Sequence, residues 1–154
     1  MLKIVRANSK DSTTLAQISK QAFDNDIHYG AASPGGPPGY DSAAWQSKMM
    51  RIGEYYKIDK DGEIIGGVIV FRKRVREYEI GRIFIAPRHQ NQGIGKQVFE
   101  FLWTVYPLAK RWTLGTPMWN VRNRHFYQTV GFKEIGTDGK DGVLFERRVE
   151  VASR

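Results

Sequence analysis

The stretch Ile83-Phe84-Ile85-Ala86 passes through Pro87 into Arg88-His89-Gln90-Asn91-Gln92-Gly93-Ile94-Gly95-Lys96. A buried strand that runs into a glycine loop and opens a helix is a place to hold an anion. The first turn of a helix has backbone N–H groups without intrahelical partners and carries the positive end of the helix dipole. Gly93 and Gly95 present no Cβ, so an oxyanion can come close to the main chain. Two common phosphate loops do not fit. A Walker A loop needs glycine five positions before its Gly-Lys pair and Ser or Thr after the lysine, and here those positions hold Gln90 and Gln97. A dinucleotide fingerprint needs a small residue three places after the second glycine, and Val98 stands there.

The elements around this loop follow from periodicity and turn chemistry. Lys3 to Ala7 reads as a strand, and Asp11 or Ser12 can cap a helix to about Phe23 with Leu15, Ile18 and Phe23 at roughly helical spacing. Tyr29 to Tyr40, with Ser33-Pro34-Gly35-Gly36-Pro37-Pro38-Gly39, is too rich in turn formers for anything but a loop, and its length suits a binding loop or lid. A short helix from Asp41-Ser42 to Arg51 presents Trp45 and Met49 on one face. Tyr55–Ile58 and Ile64–Phe71 form a hairpin about Asp61-Gly62, and Tyr78–Ala86 continues the sheet. A helix over Gly93–Val105, a strand at Trp112–Leu114, a helix over Asn120–Val130 stopped by Gly131, and strands at Phe132–Ile135 and Val143–Val149 complete the chain. That order predicts one domain over residues 1–154 with a mixed α/β sheet.

Composition bounds the class. With 154 residues, 41% hydrophobic and 26% charged, the chain can bury a core without a metal or crosslink. It has no cysteine, which excludes disulfides, thiolate metal sites and cysteine nucleophiles within it. His28, His89 and His125 show no metal-ligand spacing, so no metal is expected. The opening Met1-Leu2-Lys3-Ile4-Val5-Arg6 has no long apolar core and no segment is long and apolar enough for a membrane span, so a soluble, cytoplasmic protein without membrane partners is expected. The net charge of +8 could serve nucleic acid or a polyanionic ligand. The basic residues are scattered among acids and apolar residues, a pattern that favours a solvated surface over a nucleic-acid footprint.

The loop Gln90-Asn91-Gln92-Gly93-Ile94-Gly95 resembles the Gln/Arg-x-x-Gly-x-Gly/Ala signature of the GNAT family of N-acetyltransferases. A second segment strengthens the resemblance: Asn120, then Tyr127 seven residues later, then Gly131-Phe132, with Asn123 where a small apolar residue is more usual. The resemblance extends in element order from about Lys3 to Val149 and is carried most strongly from Glu79 to Phe132. It implies a GNAT fold: a mixed, mostly antiparallel sheet of about six to seven strands flanked by about four helices, with one splayed pair of parallel strands.

The resemblance also implies roles. Acetyl-CoA would lie in the splay, with its pantetheine beside Ile83, Phe84 and Ile85. Its pyrophosphate would rest on the backbone of Gln92, Gly93, Ile94, Gly95 and Lys96, with Gln90 bracing the loop. Asn120 would bond the pantetheine arm or cap its helix, and both can hold. Tyr127, also beside the cofactor, would be the acid that protonates the departing thiolate. Glu79, eleven residues before Gln90, stands where the histone-acetylating branch carries its base, and Glu77 shares its strand face. The acceptor site would be built by the first two helices, their loop and the late strands. Asp26, Tyr40 and Trp45, with Asp24, His28, Tyr29 and Trp119 nearby, could hold a cationic amine by charge and cation–π attraction, although caps and core packing explain the same residues.

The sequence is thus identified as an N-acetyltransferase moving acetyl from acetyl-CoA to a primary amine, small molecule or peptide, by direct attack in a ternary complex. Two alternatives stand beside it: a non-catalytic acyl-CoA-binding or regulatory module on the same fold, and a basic nucleic-acid-binding protein. The oligomeric state, including a homodimer, is left open.

Overall fold

The structure is a computed structural model and describes residues 1–150. The chain opens with strand β1, Leu2–Arg6, and helix α1, Ser12–Asp24. Asp11 makes no side-chain cap to α1. Its carboxylate accepts instead from the Asn8 backbone at 3.0 Å and from Lys57 Nζ at 3.0 Å, closing a capping box on the short turn before the helix. After a 3-10 turn at Asn25–Tyr29 and the Pro-Gly loop, helix α2, Ala43–Ile52, starts where Ser42 Oγ accepts from the Trp45 N–H at 3.1 Å.

Strands β2, Glu54–Lys60, and β3, Glu63–Arg74, form a hairpin about Asp61 and Gly62, both at positive φ as a tight primed turn requires. Strand β4, Glu77–Ile85, helix α3, Ile94–Val105, strand β5, Arg111–Pro117, helix α4, Val121–Thr129, and strands β6, Lys133–Thr137, and β7, Gly142–Arg148, complete the order. The seven strands make one sheet in the order β1-β2-β3-β4-β5-β7-β6. Only β4 and β5 run parallel; every other pairing is antiparallel. This is the mixed sheet of the GNAT fold. No helix among the described residues is long and apolar enough to cross a membrane.

Each sheet face carries its own core. Leu15, Ile18, Met49, Tyr55, Ile69 and Phe84 pack beneath α1 and α2, and Val98, Phe99, Leu102, Trp112 and Phe145 beneath α3 and α4. Phe99 is fully buried, with the rings of Trp103, Phe126, Tyr127 and Phe132 centred 5.5–6.2 Å away. Phe99→Ala should therefore cost about 3–5 kcal/mol in urea unfolding, and a loss below ~1 kcal/mol would show that this ring cluster does not hold α3 to α4.

Two irregularities in β4 shape the site. Its pairing with β5 is confined to Glu77↔Arg111, Tyr78↔Trp112 and Glu79↔Thr113. Beyond Glu79, β4 follows β3 and β5 follows β7, so the two strands part and leave one edge of β4 open from Ile80 onward. Within the same stretch the partner of Ile69 is Arg82 and that of Val70 is Ile80, which leaves Gly81 as an extra, bulged residue. The bulge resets the alternation. Ile80, Ile83 and Ile85 face the α3 side, whereas Glu79, Arg82 and Phe84 face the α1–α2 side.

Candidate functional site

The glycine loop closes the open end of the V. Gly93 sits at φ 79° as the N-cap of α3, with no side chain bonded to the helix start, and a Cβ there would meet nothing within 4 Å. The first backbone bond back into the helix is Gln97 N–H to Gly93 O at 3.2 Å, so the N–H groups of Ile94, Gly95 and Lys96 are left without helical partners. A Cβ on Gly95 would lie 2.9 Å from the Phe126 ring, so glycine is what lets α3 approach α4 this closely. Gln90 holds the loop to the strand: its Nε2 donates to Ile85 O at 2.8 Å.

Two cavities flank the splay. The smaller, about 250 Å³, is lined by Ile83, Phe84, Ile85, Gln90, Gly93, Ile94, Gly95 and Lys96 among others. The larger, about 610 Å³, runs between the open strands and the Pro-Gly loop, past Arg82, Thr116, Trp119 and Asn120. Phe23, Asp26, Ile83, Asn123 and Tyr127 line both, so the cavities meet at these side chains.

The junction has a distinct electrostatic arrangement. Tyr127 is buried, and its hydroxyl has no hydrogen-bond partner among the described residues. Burial raises its phenol pKa far above the ordinary value; the charge of Asp26 adds to this and that of Arg122 opposes it. Asp26 is also buried, and desolvation raises its carboxyl pKa against the pull of Arg122. Arg122 ties the two sides together. It donates to Gln90 Oε1 at 2.8 Å and to Asp26 Oδ1 at 3.2 Å, and its guanidinium lies 3.5 Å from the Tyr29 ring centre.

The remaining expected residues lie elsewhere around this centre. Asn120 is buried and lines the larger cavity; its Oδ1 caps α4 by accepting from the Asn123 N–H at 3.0 Å. The Gln92 side chain folds back to the Arg88 carbonyl at 3.2 Å and lines neither cavity. Glu79 also lines neither: it sits at the last parallel pairing, half exposed, 3.9 Å from Lys73. Glu77 is held by Arg111 and Lys110. Tyr40 and Trp45 shape the Pro-Gly loop rather than a cavity wall. Tyr40 donates to Asp24 Oδ1 at 2.9 Å and packs edge-on to Phe23, while Trp45 lies beneath Arg82, 3.9 Å from its ring centre. Arg82 in turn donates to Pro38 O at 2.6 Å, and burial pushes its pKa down to about 10. Of the three acceptor residues expected, the structure brings only Asp26 to the junction with Tyr127.

Arg122 is one of the scattered basic residues that the sequence pattern assigns to a solvated surface, and the structure brings it to the junction instead. A signal was present: it lies in the first turn of α4, where the helix dipole disfavours a cation, so it needs a partner. His89 and Phe23, read as a loop residue and a core residue, also line the site. No group of three or more His, Cys, Asp or Glu side chains able to hold a metal occurs among the described residues.

The fold is shared widely among solved structures. The PaiA N-acetyltransferase of Thermoplasma acidophilum, crystallised with coenzyme A, is similar over 97% of this chain and 99% of its own at 16% identity, with a TM-score of 0.81. The ribosomal-protein-S18-alanine N-acetyltransferase of Escherichia coli is similar over 99% and 97% at 16% identity, TM-score 0.76. A GNAT family acetyltransferase of Elizabethkingia anophelis with acetyl-CoA bound is similar over 96% and 98% at 20% identity, TM-score 0.65. No curated protein sequence matches the chain. The sequence model of the acetyltransferase (GNAT) domain matches residues 51–134, more than half of the chain and the whole of the splayed strands, loop and motif helix, and the chain therefore belongs to the GNAT acetyltransferase family.

Proposed function

We propose that the protein transfers an acetyl group from acetyl-CoA to a primary amine, on a small molecule or a peptide, with both bound at once. The observation that carries this reading is the open edge of β4 ending at an uncapped helix N-terminus, with a second cavity meeting it at Tyr127 and Asp26. The residues present fit the cofactor. The N–H groups of Ile94, Gly95 and Lys96 suit its pyrophosphate, with Gln92 contributing main chain and Lys96 charge. The free main-chain groups beside Ile83, Phe84 and Ile85 suit the pantetheine amides, and the Asn120 amide nitrogen, bonded to no described residue, suits the same arm.

When bound, acetyl-CoA supplies the acetyl group as an activated thioester. Tyr127 donates its phenolic proton toward the sulfur position; a phenol is ordinarily a weaker acid than a thiol, so the step needs the nearby Arg122 charge in its favour. Asp26 faces the entering amine. The chain has no cysteine to carry an acyl group, which supports direct attack. We place the reaction in the cytoplasm, a reducing compartment with which a chain without cysteine is compatible.

The test is a melting-temperature series with acetyl-CoA, ATP and NAD. Acetyl-CoA at a hundredfold excess over its Kd should raise Tm by about 5–10 °C, and the other two much less. Equal shifts with all three would reduce the loop to unspecific anion binding, and no shift would remove the cofactor from the reading.

A further inference from the structure

Of the five residues that line both cavities, Asp26 and Tyr127 alone carry titratable side chains. The geometry points to Asp26 as the catalytic base that takes the proton from the acceptor ammonium, facing Tyr127 as the acid across the same junction. This rests on the acetyltransferase reading and adds to it the residue that activates the acceptor.

Three observations support the assignment. The first is reach. The Asp26 residue is only 8% exposed, yet it borders both the cavity that fits the cofactor and the one that fits the acceptor, so it lies beside the place where the two would meet. Glu79 and Asp24 have no such access; Asp24 is bound by Lys20 and Tyr40 and lines neither cavity. The second is a free oxygen. Arg122 Nη2 donates to Oδ1 alone, its Nη1 donates to Gln90, and its face lies on Tyr29; no described residue donates to Oδ2. That oxygen is open to a proton. The third is balance of charge. The groups around Asp26 are Arg122 and Tyr127 on α4, Tyr29 on its own turn, His89 and Lys96 along the smaller cavity and Arg82 along the larger. Burial raises the carboxyl pKa, which strengthens it as a base, and Arg122 opposes the rise.

The step balances. Asp26 Oδ2 takes one proton from the ammonium, and the freed nitrogen lone pair bonds to the acetyl carbon. The carbon–sulfur bond breaks with its electron pair on sulfur, which takes the Tyr127 proton. The second proton of the nitrogen returns to the Tyr127 oxygen, and Asp26 releases its proton to solvent. The products are an amide, a free thiol and one proton.

The experiment compares wild type with Asp26→Asn, which keeps the size and the oxygen facing Arg122, by thiol release from acetyl-CoA. The acceptors are tyramine, spermidine and an unblocked tripeptide, set against benzhydrazide, whose terminal nitrogen is already unprotonated at neutral pH. Asp26→Asn should lower kcat with the amines about a hundredfold and move the acidic limb of kcat/KM up to the ionisation of the acceptor amine itself, while lowering benzhydrazide turnover far less. An equal loss with both acceptor types, or a raised KM at unchanged kcat, would overturn the base assignment and leave a structural or anchoring role. The same ratio in Asp26→Ser supplies the reading should Asp26→Asn not fold. If wild type binds acetyl-CoA but releases no thiol with any of the four, the transferase reading itself fails, and the assignment with it.

Discussion

Tyr127→Phe should lower thiol release about a hundredfold while acetyl-CoA affinity stays within about twofold, because the change deletes one proton donor and little else. The ring is fixed by Phe99, Phe126, Phe132 and Phe145, with centroids 5.7–6.2 Å away, so phenylalanine occupies the same space. The hydroxyl supports no described neighbour, so its removal strands no polar group. The sign of the pH dependence follows from burial. A phenol whose pKa is raised keeps its proton through neutral pH, so no alkaline fall in kcat near neutrality should come from Tyr127, and any acidic limb belongs to another group. Isothermal titration with acetyl-CoA beside a thiol-release assay makes the comparison; parallel losses in both would show that the hydroxyl serves binding rather than proton transfer.

Gly93→Glu should weaken acetyl-CoA binding about a hundredfold. The site is sterically open, so the new side chain fits, but it brings a carboxylate to the helix end that the pyrophosphate would occupy. Two unit charges ~5 Å apart at an effective dielectric near ~20 repel by about 3 kcal/mol. Part of any loss comes from backbone strain, since φ 79° costs a side chain roughly 1–2 kcal/mol. Gly93→Ala carries the strain without the charge. If titration finds the two variants equally impaired, or Gly93→Glu unimpaired, the anion does not sit on this turn.

The architecture was legible because its punctuation is local. Asp61-Gly62 marks the first hairpin, Pro87 and Gly131 end their elements, and the apolar positions of α3 recur at helical spacing. The acceptor side was harder to read for reasons that individual residues make plain. Strict alternation would set Glu79 on the face of Ile83 and Ile85, but the Gly81 bulge inserts one residue and moves it to the opposite face. The glycine inside the strand is the one local sign of such a bulge. Tyr40 and Trp45 have the chemistry of a cation site, yet the bends of the Pro-Gly loop bring Phe23 and Arg82 to them first. Asp26 was visible as an acid near aromatics; that it stands where two cavities join, against an arginine 96 positions away in sequence, is a fact of tertiary structure alone.

The tethering of the Pro-Gly loop also bears on how tightly an acceptor can be held. Fixing a free backbone costs roughly 1–2 kcal/mol per residue, and a loop that closes only over its ligand charges that cost against affinity. Here Pro34, Pro37 and Pro38 restrict the chain before it folds, and the Arg82 bond to Pro38 with Trp45 stacked beneath holds it afterwards. The conformational entropy is therefore surrendered during folding. An acceptor entering the larger cavity meets a wall already in place, and its affinity reports contacts made rather than order imposed.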